Sequence, residues 1–548
     1  MGKRIARHPP AGAAPPAPSP APPSRAARAL ALLAGLAAAL LLLAPMLTYR
    51  FGRDQGVFAC AADVLRHGGV LYRDFWDLKP PGVYYLYWLA ISVFGHSMLA
   101  PRLLDLLFSL ATAAAIALIG KRLLSLWLGV AAAFLFLSRY ALGFDYWHTA
   151  QGDGLASLPL ALAVLAALAA ERRRSWPLAA ASGALIGAAV VIKFTLGALL
   201  VLPLLALLLA WRERWSARLL RGAAYLLGCA VVVAAVVLLV WRAGALRDMI
   251  QIIFTWNARY AAIRPAAPAS SLIPYQTARF LLGGRHLILS LIGALALVGL
   301  ADSLRRGAGP LRWLAPAWLA AMLLQVWAQG KYFQYHWLPA LPPLGLLAAQ
   351  GLSTLWRLLT QRLAPRPARA VAALAALALL AALASGYWAQ FHREIRYAVG
   401  ALPPAEFLTQ FCDRQDYSLP ADLEVAAFLR AHSPPGRPAF IWGFEPTIYF
   451  LAGRPPATRF ISQQPLMAPW SPPEWRRELL RDLEDKQPDY LLVLHNDFMP
   501  WVTMRPYDSA GELVFFPELT AFIQRDYRLT AVIEDFDIWE RRPPPPPK

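Results

Sequence analysis

Charge is scarce in this sequence. Of 548 residues, 16% are Asp, Glu, Lys or Arg, against roughly a quarter in an ordinary soluble domain. Acids are the scarcer sign, 33 against 53 Lys and Arg, for a formal net charge of +20. That excess does not point to nucleic acid, because the basic residues cluster between apolar runs, as cytoplasmic anchors do. Cysteine is nearly absent: Cys60, Cys229 and Cys412 are the only three, and none has metal-site spacing. Cys60 and Cys412 can both face an oxidising compartment, so a disulfide between them stays open. Ionisable residues are missing from the middles of the apolar runs, and there is no internal repeat, which argues against a transporter or flippase. After residue 388 there is no further spanning run.

What the chain has instead is apolar length. It is 58% hydrophobic, with a mean hydropathy of +0.43. Backbone groups in lipid must be satisfied within their own segment, so runs of about 20 apolar residues imply helices. The expected fold is a polytopic α-helical membrane protein with about 11 transmembrane helices: 29–47, 101–119, 125–142, 154–170, 177–192, 195–211, 222–241, 287–301, 313–328, 337–356 and 369–388. Residues 82–95 are apolar but short, and fit an interfacial helix within the first external loop. Residues 1–28 read as a disordered basic Pro/Ala-rich tail, 29–388 as the transmembrane catalytic domain, 389–542 as an external α/β domain and 543–548 as a disordered Pro tail. In the α/β part, 423–431 and 475–486 read as helices, and 439–443 and 489–494 as strands. The basic loops fall on one side of this count, placing the N-terminus in the cytoplasm and the C-terminal domain in the periplasm or outside.

Chemistry-bearing residues collect on the external side. Asp54 follows the first span, flanked by Arg53 and Gln55. It reads either as a partly desolvated base or as an interfacial acid paired to Arg53. Lys79 precedes Pro80-Pro81, which restrict it to an extended conformation at a helix start. Its ammonium suits a phosphate, or it snorkels to the headgroups. The loop Gly143–Asp153 holds Asp145, His148 and Asp153. These could form a metal site, though neither spacing nor ligand number is diagnostic. Asp153 also sits where a carboxylate caps a helix. Lys193, Lys331 and His336 lie at the same face among aromatics. Several cations converging there fit a polyanionic headgroup, whereas one alone would be read as part of the aromatic belt.

The ordered set Asp54-Gln55, Gly69-Val70-Leu71-Tyr72-Arg73-Asp74, Lys79-Pro80-Pro81, Phe94-Gly95-His96-Ser97 and Arg102 resembles the first periplasmic loop of GT-C glycosyltransferases. The nearest groups are the bacterial lipid A aminoarabinose transferases and the protein O-mannosyltransferases. Asp153, Lys193 and the run beginning at His336 fit the same order. One departure is Leu78, where aminoarabinose transferases usually carry Glu before the KPP lysine; Asp77 stands one position away.

The resemblance implies an inverting transferase of the bacterial inner membrane. It would move a hexosyl or pentosyl group from a polyprenyl-phosphate donor to a glycan, lipid or protein acceptor at the outer face. Asp54 would be the general base, and Asp153 would assist an oxocarbenium-like transition state. Lys79, Arg102, Lys193, Lys331 and His336 would bind the donor phosphate. Gln55, Tyr72, Asp74 and Tyr260 would contact acceptor or sugar. No cofactor is called for and no metal is indicated; the partners are the carrier lipid and the surrounding membrane lipid. Substrate selection would fall to 242–286, with Trp256, Arg259, Tyr260 and Arg264, and to the α/β domain.

Overall fold

A computed structural model describes residues 24–208, 214–263, 265, 267–306, 313–413 and 416–543. Most of the basic tail, the last five residues and Arg264 lie outside them. The first helix, α1 (Arg25–Leu43), begins inside the stretch expected to be a disordered tail. Next come α2 (Arg53–Arg66), α3 (Pro81–Phe94), α4 (Leu99–Leu123) and α5 (Leu126–Gly143). Among the described residues, seven helices are long and apolar enough to cross a membrane. Pro81–Phe94, Trp176–Ile192, Phe194–Leu205 and Leu314–Gln329 are apolar but shorter. The chain is thus a mostly helical, multi-pass membrane protein.

Glycines set how closely the helices pack. A Cβ on Gly183 would lie 1.8 Å from the Tyr225 carbonyl oxygen, and one on Gly228 would lie 2.0 Å from that of Ala180. Helices Trp176–Ile192 and Trp215–Arg242 therefore touch backbone to backbone. The same holds for Leu287–Arg306 against Leu341–Arg362, through Gly299 and Gly351. Hydrophobicity does not drive helix association in lipid, and close approach of small residues supplies the dispersion contact that does. The helix Pro365–Ala398 is the exception, with only 11% of its apolar window buried.

The opening loop is folded. Leu71 to Phe75 forms a tight hook, in which the Tyr72 N–H donates to the Phe75 carbonyl. Pro80 is extended at φ −63°, ψ 157°, and α3 starts at Pro81. Pro81 sits where a helical N–H has no partner to lose. Gly82 lets α3 press on the end of helix Trp176–Ile192, since a Cβ there would stand 2.7 Å from the Val191 carbonyl oxygen.

Past the last long helix the chain builds a four-stranded sheet. Ala439–Trp442 pairs in parallel with Tyr490–Leu494. Tyr490–Leu494 pairs antiparallel with Phe536–Arg541, and Tyr527–Ile533 forms the far edge. Helices Leu419–His432 and Pro473–Lys486 join this part. The terminal hairpin was not anticipated, because Tyr527–Ile533 is largely exposed and lacks clean alternation.

This sheet domain is clamped onto the opening loop. Arg53 pairs with Glu445 at 2.7 Å and with Asp416 at 2.8 Å. Arg459 donates to the Tyr72 carbonyl at 3.0 Å and pairs with Asp248 at 3.0 Å and Glu478 at 2.6 Å. Trp76 meets Trp256 and Trp475 edge-on, with ring centroids 4.9 and 5.8 Å apart.

Candidate active site

Two lysine–aspartate pairs stand at the mouth of the helical bundle. Asp54 opens α2 and meets Lys79, just ahead of α3, at 2.9 Å. Arg53 is turned the other way, toward Glu445 and Asp416, so the sequence pairing of Arg53 with Asp54 does not form. The pairing changes because the Arg53 side chain is buried between α2 and the sheet domain, where those two carboxylates pair with it. Lys193 closes on Asp153 at 2.5 Å. The Tyr335 ring lies between the pairs, its centroid 5.7 Å from each lysine Nζ. The Lys79 Nζ is buried and makes no hydrogen bond of good geometry among the described residues, although its ion pair with Asp54 is close. It is an ammonium with donors in reserve.

Asp77 lies beside this ammonium. It is half-buried and accepts a hydrogen bond from the Tyr84 hydroxyl at 2.5 Å. Burial pushes its carboxyl above the ordinary value, against the opposing pull of the Lys79 charge and the Tyr84 hydroxyl. Tyr335 and Asp77 are the site members that the sequence left without a role. Tyr335 had a signal in the run Lys331–Trp337, which also reads as an aromatic belt.

Several expected members are engaged elsewhere. His336 is near both lysines, but burial first, and then the charges of Lys193 and Lys79, hold it well below its usual range. It is a neutral imidazole, not the phosphate-binding cation expected. Arg102 is buried against backbone, donating to the carbonyls of Arg50 and Tyr146 and to the Thr149 hydroxyl at 2.6, 2.9 and 2.8 Å. Gln55 has no exposed surface; its amide nitrogen faces the carbonyls of Tyr146, Trp147 and Thr149 at 3.1, 3.1 and 2.8 Å. Tyr72 is buried, its hydroxyl donating to the Lys79 carbonyl at 3.0 Å. Asp74 caps the Val70 N–H and pairs with Arg73. These four build the loops and do not line the site, because each spends its polar atoms on nearby backbone or on an adjacent side chain.

Tyr260 feels the Asp54 charge, and burial is the larger cause raising its hydroxyl to about 12. The Lys331 ammonium lies 4.4 Å from the Tyr260 ring centroid and donates to the Ile263 carbonyl at 2.7 Å. Both therefore border the cluster. Asp145 and His148 bond to each other, but Asp153 is held by Lys193, so the triple metal site drawn from spacing does not assemble. No group of three His, Cys, Asp or Glu suited to a metal occurs among the described residues. Cys60, Cys229 and Cys412 are free; Cys60 is buried and Cys412 exposed, so the disulfide does not form.

No curated protein matches the chain in sequence. Residues 78–241 match the sequence profile of the dolichyl-phosphate-mannose-protein mannosyltransferases. The structure is similar to ArnT from Cupriavidus metallidurans bound to undecaprenyl phosphate, at a TM-score of 0.61 and 14% identity, covering 93% of this chain and 97% of that one. The apo form of the same protein aligns at a TM-score of 0.59 and 16% identity, over 94% and 98% of the two chains. An oligosaccharyltransferase from Archaeoglobus fulgidus is more distant, at a TM-score of 0.47 and 13% identity, over 84% and 69%. The chain shares the fold of ArnT over nearly its whole length.

Proposed function

We propose that this protein is an inverting glycosyltransferase that moves a sugar from a polyprenyl-phosphate donor to an acceptor at the outer face of the membrane. The observation that carries the reading is the buried Lys79 ammonium, paired with Asp54 and still holding unused donors. The ligand bound to the ArnT neighbour, undecaprenyl phosphate, supports the same class of donor. In this reading the 11 apolar segments all span, the shorter ones as short or tilted helices. The N-terminus is cytoplasmic, and the sheet domain lies in the periplasm of a bacterial inner membrane.

The chemistry follows from the charges. The acceptor oxygen or nitrogen attacks the anomeric carbon and gives its proton to Asp54. The bond from that carbon to the phosphate oxygen breaks, and the electron pair leaves with the carrier phosphate. Lys79 and Lys193 neutralise the charge that builds there, with Lys331 at the margin. A phosphate beside Lys79 shares its ammonium with Asp54 and so loosens the pair that holds the base. The Asp153 carboxylate offsets the positive charge developing on the sugar ring. Tyr260 lies on the sugar or acceptor side.

Purified protein supplied with radiolabelled polyprenyl-phosphate sugar and a membrane extract tests this. Transfer supports the reading. Uptake into vesicles without transfer would make the protein a transporter, and neither result would leave a non-catalytic binding protein. Asp54→Asn should abolish transfer in a protein that still folds in the membrane; wild-type turnover in that variant would remove Asp54 as base.

A further inference from the structure

The loop between α5 and the next bundle helix is held more firmly than a connector requires. Gln55 grips three of its carbonyls, and Arg102 takes the Tyr146 carbonyl and the Thr149 hydroxyl. Gln151 returns to the Trp147 carbonyl at 3.1 Å. Within the loop, Asp145 Oδ1 accepts from the Trp147 N–H at 3.1 Å, and the Asp145 carbonyl accepts from the Thr149 hydroxyl at 3.0 Å. The residue this scaffold presents is His148. Its Nδ1 lies 2.7 Å from Asp145 Oδ1, while Asp145 Oδ2 pairs with Arg285 at 3.2 Å.

The tautomer follows from the partner. Burial works to raise the Asp145 carboxyl, but the His148 bond, the charges of His148 and Arg285 and the Trp147 N–H outweigh it and hold it below its ordinary value. An ionised carboxylate only accepts, so Nδ1 carries a hydrogen, and in the neutral ring the lone pair is then on Nε2. The His148 side chain keeps 17% of its surface exposed. Its ring centroid is 6.5 Å from that of Tyr335, the ring that separates the two lysine–aspartate pairs. An imidazole oriented by a carboxylate thus borders the reaction cluster.

We propose that His148, oriented by Asp145, is a substrate-recognition residue whose Nε2 accepts a hydrogen bond from an O–H or N–H group of the donor sugar or of the acceptor. A lone pair repels a phosphate oxygen, so this position complements the lysines, which take the phosphate. Gln55 and Arg102 are positioning residues that act through the loop. The inference rests on the glycosyl-transfer reading above and assigns a group that reads the sugar or the acceptor beside the lysines.

The test compares His148→Asn with His148→Gln in the full-length protein in lipid nanodiscs. Asn keeps a donor to Asp145 and removes Nε2; Gln puts a polar acceptor near Nε2 and gives up the Asp145 bond. Both variants should bind undecaprenyl phosphate like wild type. Binding of undecaprenyl-phosphate hexoses and pentoses, and label transfer from them into a membrane extract, separate the two sources of the O–H or N–H group. Loss of about tenfold in the affinity that the sugar adds assigns the donor sugar, and the same loss in transfer at unchanged donor affinity assigns the acceptor. In either case the order is wild type, then Gln, then Asn.

Asn equal to wild type in both readouts overturns the proposal. So does Asn outperforming Gln, the mark of a purely structural tie to Asp145, or a fall in affinity for bare undecaprenyl phosphate. Should His148→Asn not fold, Asp145→Asn leaves the imidazole in place but frees its tautomer and must show the same loss in part; no loss overturns the proposal equally. Wild-type protein that neither transfers nor gains affinity from any sugar defeats the transferase reading itself, and this inference with it.

Discussion

Gln55→Glu is the sharpest probe of how the site is built. The Gln55 amide nitrogen has two hydrogens and three carbonyl oxygens within 3.1 Å, while its Oε1 accepts the Gly52 N–H at 3.0 Å. Glu keeps the acceptor and replaces both donors with a second acceptor. As a carboxylate it would lose both neutral hydrogen bonds, at roughly 1 kcal/mol each, and would face the carbonyls of a fully buried pocket. That charge is too costly to keep, so the new carboxyl takes up a proton and retains one donor. The expected net destabilisation at neutral pH is on the order of 3 kcal/mol. The introduced group has a folded-state pKa raised above its unfolded value, so its deficit is smallest in acid and grows as pH rises toward that raised value. Denaturant unfolding in detergent at pH 5 and pH 7.5, read against wild type, measures both. Protease nicking within residues 143–153 reports release of the loop. A Gln55→Glu protein as stable as wild type at pH 7.5, with the loop protected, would refute the reasoning that this amide anchors the second external loop.

Three further outcomes are expected. Lys79→Met should weaken undecaprenyl phosphate binding by about tenfold to a hundredfold, and Lys193→Met by less, because the Lys193 ammonium is already hydrogen-bonded to Asp153; isothermal titration in nanodiscs reads both, and unchanged affinity in Lys79→Met would remove it from the phosphate site. Gly56→Ala places a Cβ 2.1 Å from the Thr447 hydroxyl oxygen and 2.9 Å from its backbone nitrogen, so α2 and the sheet domain must separate at a cost of about 1–3 kcal/mol, visible as an earlier unfolding step and faster proteolysis between 398 and 439. Asp497 is buried in the sheet domain, and burial lifts its carboxyl to about 7 against the hydrogen bonds from Ser509 and Phe444. A raised folded pKa contributes stability that is complete below the unfolded value of about 3.9 and is lost as pH rises through about 7. Asp497→Asn should flatten the pH dependence of unfolding across that window, and an unchanged slope would count against the buried proton.

The sequence by itself determined the membrane class and the location of nearly every long helix. Apolar run length and the placement of basic loops are local properties, and lipid punishes any backbone that leaves its hydrogen bonds open. It also singled out Asp54, Lys79, Asp153 and Lys193, because charges at the ends of apolar runs are costly unless they are used. The partners of those charges were decided only in the tertiary structure. Asp54 abandons its neighbour Arg53 for Lys79 because α2 turns Arg53 into the sheet domain. Gln55, Tyr72 and Arg102 carry side chains that suit a sugar or a phosphate, yet close packing commits them to backbone carbonyls. His336 loses its charge through burial beside two lysines. Whether a polar side chain faces substrate or holds a loop depends on which backbone groups lie within about 3 Å, and that distance is set by contacts between segments hundreds of residues apart.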